Sequence, residues 1–469
     1  MPKLRAVVVG GGVAGLAAAV RIARDRPDAE VLVLEAAGAV GGKLRRIQLA
    51  GSWVDVGAEA MLARRPEGVQ AVRELGLAGE LIEPLTTAAL LRNRGTNRPL
   101  PARTVLGVPA DPDALRAAGV LSERTLARIE AEPAAGPYPP LAEDLSVAEL
   151  VGQRFGDEVV QRLVDPLLGG VYAGRAEAIS VRAALPALAS RLTAEGGSLL
   201  AAARSTLPAP DAEPAGPVFA SLTGGLARLP EAMAVQDRVT VRTARTVRAI
   251  NRRPTGFLLT VGPTSAPELV PADLLVLAVP AGKASILLAE LAPVAARELA
   301  GIETASVAIV TLAFDRLPTG ALPAGSGLLI PVVEGLACKA MTFSSQKWPG
   351  VGAESAITLM RASLGRAGEE WVLQREDGEL VAMVRAELAR LTGLAAQPVD
   401  VHVQRWGGGL PQYAVGHLDR VARIRAAVAA VPGLAVCGAS YDGVGIPACI
   451  GSAHAAVDRV LSTLREPAQ

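Results

Sequence analysis

An apolar run at residues 6–9 stops at Gly10-Gly11-Gly12-Val13-Ala14-Gly15 and gives way to an alanine-rich stretch. A short apolar run without alternation predicts a strand buried on both faces, as in a parallel sheet. The alanine-rich stretch predicts a helix. A second strand is expected over residues 30–34, ending on Glu35, and Gly41-Gly42-Lys43 lies just beyond. Alternation through Trp53-Val54-Asp55-Val56 ends at Gly57-Ala58-Glu59-Ala60, which predicts a strand feeding a loop.

Helical periodicity dominates the next part, over residues 112–118, 123–132, 147–155, 157–163 and 180–195. Ser146, with Glu149 three positions on, predicts a capping box. Between these helices, Asp165-Pro166-Leu167-Leu168-Gly169-Gly170-Val171-Tyr172-Ala173-Gly174 suggests close backbone approach to something flat, or a tight turn. Residues 203–216 read as a Pro/Ala-rich linker. Strands at 239–241, 257–261 and 274–278 predict a small sheet against the opening unit. Alternation at 306–314, 327–331, 356–361 and 400–404, around a helix at 377–392, predicts an antiparallel sheet with helices. A last strand, 434–438, precedes a glycine-rich segment and a helix running to about 464.

The chain has 469 residues, more than one ordinary core holds, so several domains are expected. Half the residues are hydrophobic and only 3% aromatic, which suits helices packed on parallel strands. Lys+Arg 47 against Asp+Glu 46 leaves a net charge of +1, which argues against a nucleic-acid binder. Cys338, Cys437 and Cys449 cannot all pair and lack CxxC spacing, so they read as core residues in a reducing compartment. His402, His417 and His454 are too scattered to suggest a metal site. No leader is expected before the first strand. The most apolar stretch, 274–291, is broken by Pro280 and Lys283 and does not read as a membrane span.

Strand, glycine turn, helix, strand and acid in that order make a dinucleotide-binding βαβ unit. Gly10 permits the tight turn, Gly12 the approach of backbone to a pyrophosphate, and Gly15 close packing of helix on strand. The helix start offers unsatisfied N–H groups to the phosphates. Glu35 is placed to accept ribose hydroxyls, which favours FAD or NAD over NADP, and Gly41-Gly42 tilts this to FAD.

The segment from Cys437 to Ile450, the stretch Trp406…Pro411-Gln412-Tyr413-Ala414-Val415-Gly416-His417 and Gly170-Val171-Tyr172-Ala173-Gly174 resemble motifs of the FAD-dependent porphyrinogen oxidases, in the same order along the chain. The likeness is to the bacterial branch that oxidises coproporphyrinogen III; a related branch oxidises protoporphyrinogen IX. Two departures stand out: Lys43 where many wider relatives carry Arg, and Gly407-Gly408-Gly409 after Trp406.

This resemblance implies an α/β fold: a Rossmann-like FAD-binding domain of the flavin amine oxidase type (1–88, 215–295 and 430–469), an α+β substrate domain (89–110 and 296–429) and a helical insertion (111–214). It implies FAD contacts at Gly10, Gly11, Gly12, Val13, Ala14, Gly15, Glu35, Ala36, Gly42, Lys43, Gly57, Ala58, Glu59, Ala60, Val247, Trp406, Val444, Gly445 and Ile446. The lesser alternative for Trp406 is a core tryptophan. The implied reaction is three rounds of hydride transfer to the flavin, each followed by reoxidation by O2 to H2O2, with no general base assigned.

Gly170 is expected to line the pocket, its carbonyl orienting pyrrole N–H groups, with Tyr172 beside it. Four propionates on the substrate call for basic partners: Arg103 and Lys347 foremost, among Arg92, Arg94, Arg98 and Lys339. A cytoplasmic location, possible attachment at a membrane surface, and handover to a ferrochelatase follow from the resemblance alone. Competing readings are protoporphyrinogen IX as substrate, another flavin amine oxidase or carotenoid desaturase, and a non-catalytic relative that binds prenylated proteins.

Overall fold

The computed structural model describes residues 3–136, 138–209 and 216–463. Its centre is a five-stranded, wholly parallel sheet in the order Val239–Arg242, Ala29–Leu34, Leu4–Val9, Leu274–Leu277, Leu434–Val436. Val8 pairs with Val33 on one side and Val276 on the other. Apolar residues on both faces demand cover on both. The helices Val13–Asp25 and Ile446–Ser462 bury Leu16, Ile22, Ile450 and Val457 on one face. Helices Ala281–Leu288, Pro293–Ala300 and His417–Ala429 bury Leu288, Leu299 and Ile424 on the other. Each such side chain contributes about 1.5–3 kcal/mol by leaving water.

The strands expected at 239–241 and 274–278 do not form a small separate sheet. They complete the parallel one, and Leu274–Leu277 is buried at every residue. The unbroken apolar run of Leu274–Leu277 is the kind that a central parallel strand carries, while Val239–Arg242, at the sheet edge, alternates. Only Phe257–Val261 enters a small antiparallel sheet, between Val247–Arg252 and Glu268–Ala272.

A seven-stranded sheet runs in the order Asp400–Pro411, Thr304–Asp315, Ile357–Leu364, Cys338–Thr342, Gly327–Leu329, Leu90–Asn93, Thr96–Pro99. It is antiparallel except where Gly327–Leu329 meets Leu90–Asn93. One face packs on helix Asp377–Thr392 through Leu380, Val384 and Leu388. Arg361 and Trp406 on this sheet donate to the carbonyls of Asp55 and Val56.

Helices fill residues 112–205 around their own core. At Val147–Phe155 the Ser146 hydroxyl accepts from the Glu149 N–H, but the Glu149 carboxylate accepts from Gln153 and does not complete the box. The expected helix 180–195 breaks into Val181–Ala184 and Pro186–Glu195, because Pro186 has no N–H to continue the ladder. The glycine-rich segment is not a loop: after a π-helical turn at Val160–Val164 it is the helix Asp165–Tyr172, ended by Ala173 in the left-handed region. Of the expected linker, residues 210–215 lie outside the described residues, and its start belongs to the helix Leu199–Ser205.

Candidate active site

The first strand delivers the glycine turn to the carboxyl edge of the parallel sheet, where open α/β folds bind ligands. Gly10 has φ +111, and a Cβ there would sit 2.6 Å from the Ala278 carbonyl. A Cβ on Gly15 would collide with the Gly10 carbonyl, so helix and strand could not pack. A Cβ on Gly12 would meet nothing within 4 Å, so open space lies beside its backbone. Gly41 donates to Gly11 at 2.8 Å and brings Gly42 across the turn.

Glu35 is half-buried at the end of its strand. Its two carboxylate oxygens accept from the N–H groups of Gly11 at 2.6 Å and Ala37 at 2.7 Å. That holds the carboxylate at the turn and leaves lone pairs for further donors. Ala36 is exposed next to it. Arg245 and Ala244 donate to the carbonyls of Glu35 and Ala37, which places the strand beginning at Val247 beside the same end of the site.

The far end of the chain returns to this turn. Gly438 packs on Ala14, and Gly445 caps the helix Ile446–Ser462. No acceptor takes the N–H groups of Val444, Gly445 or Ile446 among the described residues. Lys43 is accessible to solvent yet closely surrounded by protein, as a residue lining a concavity is; that crowding lowers its pKa. Gly57 lies against the Lys43 carbonyl and the Trp406 ring, and Trp406 donates to the Val56 carbonyl at 2.9 Å.

Glu59 enters an ion cluster: Lys347 stands at 2.7 Å and Arg361 at 3.3 Å. Burial alone would raise this carboxyl, but the two cations reverse that and hold it at about 2. Asp55 shows the opposite balance. Burial, helped by the nearby Glu59 charge, lifts it to about 6, and the N–H groups of Leu226 and Ala227 with Arg361 offset this only in part.

Gly170 lies in the last turn of the helix Asp165–Tyr172 and is exposed. A Cβ there would meet only Leu329, at 3.9 Å, and no backbone N–H donates to its carbonyl among the described residues. Tyr172 points into the helical core, 6% exposed and 5.6 Å from Tyr413. The basic candidates are dispersed. Lys347 is paired with Glu59, Arg94 with Glu158, and Arg103 with Asp111 and the Pro208 carbonyl. Arg92 is buried against Asn97, and Arg98 is exposed. Lys339 is 6% exposed and has no hydrogen-bond partner among the described residues. Burial and neighbouring Arg366 bring it down to about 7. Sequence reasoning missed Arg361, Arg366 and the hydroxyl of Tyr413; of these, only Tyr413 lies within a motif.

Open space at Gly12, the unused lone pairs of Glu35 and the unpartnered N–H groups of 444–446 fit an extended dinucleotide. They offer it a pyrophosphate cradle, a ribose acceptor and donors for an electron-rich ring.

Comparisons with known proteins identify the family. The family model for flavin containing amine oxidoreductases matches residues 13–461. The chain is 40% identical over 463 residues to a Mycobacterium tuberculosis (strain H37Rv) protein named coproporphyrinogen III oxidase, covering 97% of each chain. It is 30% identical to a Bacillus subtilis protein of the same name, covering 98% of this chain and 99% of the other. A crystal structure from Exiguobacterium sp. 255-15, named as a candidate protoporphyrinogen oxidase, superposes with a TM-score of 0.87 at 30% identity, covering 99% of this chain and 100% of that one. The chain therefore belongs to the flavin containing amine oxidoreductases, among the relatives named for porphyrinogen oxidation, and FAD is its cofactor.

Proposed function

We propose that this protein oxidises coproporphyrinogen III to coproporphyrin III, with O2 as the final acceptor. The observation that carries this reading is the similarity over nearly the whole chain to proteins named for that activity. Bound FAD would supply the acceptor for a C–H hydrogen and its electron pair, and O2 would then take two electrons and two protons to leave as H2O2. Six hydrogens leave the macrocycle, so three such rounds are needed.

The chain's own residues have the remaining work. The N–H groups of Val444, Gly445 and Ile446 meet charge that gathers on the ring, helped by the positive end of a 17-residue helix. Gly10 to Gly15 and Glu35 hold the phosphates and ribose; Ala36, Gly42, Lys43, Gly57 to Ala60, Val247 and Trp406 complete that contact. Gly170 admits the flat macrocycle, and its carbonyl accepts from a pyrrole N–H. The pyrrole proton leaves to solvent, so no strong base is needed. Lys339 is the cation best placed for a propionate: it has no acidic partner, and its strand neighbours the one bearing Leu329, beside Gly170. Arg103 is the second candidate and must exchange Asp111 for substrate.

Protoporphyrinogen IX is the second reading, favoured by the name of the Exiguobacterium structure. No helix among the described residues is long and apolar enough to cross a membrane. A cytoplasmic location and passage of the porphyrin to a ferrochelatase belong to the same proposal and rest on the likeness to the porphyrinogen oxidases alone. The test is turnover of coproporphyrinogen III by the FAD-loaded protein. Porphyrin fluorescence should rise with three H2O2 formed per porphyrin. A yellow protein that leaves porphyrinogen at its spontaneous oxidation rate would reject the reading.

A further inference from the structure

The Tyr413 hydroxyl joins the two ends of a short loop. It donates to the Ala439 carbonyl at 2.6 Å and accepts from the Gly443 N–H at 2.8 Å. The side chain is 2% exposed and stacks on the His417 ring at 3.9 Å with 16° between planes. Burial pushes the Tyr413 phenol well above its ordinary range, so it keeps the proton it donates. Burial likewise brings His417 down to about 4, so the stacked ring is neutral at pH 7.

The residue before it reaches the other way. The Gln412 side-chain amide donates to the Tyr172 carbonyl at 2.8 Å. Tyr172 ends the helix that carries Gly170. A Cβ on Gly174 would collide with the Gln412 amide oxygen, so the segment is tightly seated. Two consecutive residues therefore tie the end of the Gly170 helix to a loop that leads directly into Val444, Gly445 and Ile446.

We propose that Tyr413 is a positioning residue for the flavin: its hydroxyl fixes the 439–443 loop so that the N–H groups of 444–446 are aimed before FAD binds. Donors held in advance need no reorganisation when charge develops in front of them. Ordering a residue's backbone costs about 1–2 kcal/mol, and a loop already braced spares binding that cost. Gln412 extends the brace to the helix beside the substrate, so both faces of the reaction site refer to one segment. The proposal rests on FAD as the cofactor and not on which porphyrinogen is oxidised, so the two can fail separately.

Tyr441 supplies a matched control. It lies in the same loop, is 1% exposed, and its buried hydroxyl has no partner among the described residues. Tyr413→Phe and Tyr441→Phe remove the same atom, but only the first breaks a brace and strands the Gly443 N–H. Tyr413→Phe should weaken FAD binding to the apoprotein about tenfold, as expected if binding must now order roughly one residue of the loop. It should also make the reduction potential of the bound flavin more negative. Tyr441→Phe should change neither.

Equal FAD affinity and equal potential in the two variants would overturn the proposal, even if Tyr413→Phe melted at a lower temperature. Amide hydrogen exchange on the unaltered chain gives a test that needs no variant. Without FAD, the Gly443 amide should be protected while those of Val444, Gly445 and Ile446 exchange freely, and FAD should then protect all four. A Gly443 amide that exchanges as fast as Val444 without FAD would also overturn it.

Discussion

The glycine turn offers backbone N–H groups and open space; the cationic side chains proposed for the substrate mostly hold partners already. Gly12 faces nothing within 4 Å, and 444–446 keep their N–H groups unused. Lys347, Arg94 and Arg103 are each bound to a carboxylate. The cofactor side is therefore preformed. Under the proposed reading, propionates must displace internal ion pairs or use Lys339, which has none to give up. A site made of backbone tolerates almost no change at its glycines. A site made of mobile cations spreads its energy over several residues.

The largest test of that contrast is Gly15→Ala. Its Cβ would collide with the Gly10 carbonyl, and the protein should purify without flavin absorbance. A variant that keeps one FAD per chain would break the comparison at its strong end. Next is Glu59→Gln, which strands Lys347 and Arg361 in a largely buried cluster and should cost about 3 kcal/mol in urea unfolding at pH 7. The carboxyl titrates near 2 in the folded protein and 4.5 when unfolded. Its contribution is therefore complete above pH 4.5 and lost as pH falls toward 2. The variant's stability should be correspondingly flatter across that window.

Lys339→Met should act in two directions. Removing a buried cation that lacks an acidic partner should stabilise the protein by about 2 kcal/mol at pH 6. The folded pKa of about 7 lies below the unfolded 10.5, so the native charge is penalised most below pH 7 and the gain should shrink as pH rises toward 10.5. In the same variant KM for coproporphyrinogen should rise roughly tenfold, the loss of one charge-assisted bond. An unchanged KM removes Lys339 from the substrate site. The smallest effect is Arg103→Ala. Its existing pair with Asp111 offsets any propionate contact, so KM should rise no more than about fivefold.

Legibility followed the same division. Glycines at a turn are constrained by backbone geometry, so the order and spacing of Gly10, Gly12, Gly15 and Glu35 alone announce a dinucleotide site. Local helices are as readable: 112–118, 147–155 and 377–392 form as periodicity predicts. Pairing across the chain is not local. Leu274–Leu277 lies beside Leu4–Val9, and nothing within either segment says so. The Asp165–Tyr172 helix was hidden because Gly169 and Gly170 weaken helix propensity, while packing of Pro166, Leu168 and Tyr172 overrides it. The cations were least legible of all. Whether an arginine is free depends on which carboxylate the fold brings near: Glu59 meets Lys347 across 288 positions.

The most direct measurement of the central claim is a comparison of kcat/KM for coproporphyrinogen III and protoporphyrinogen IX with the same FAD-loaded protein at the same O2 concentration. Four propionates against two should matter if cations on the substrate side select the ligand. A preference for coproporphyrinogen III that shrinks in Lys339→Met is the expected result; equal rates, or a preference for protoporphyrinogen IX, would contradict the account.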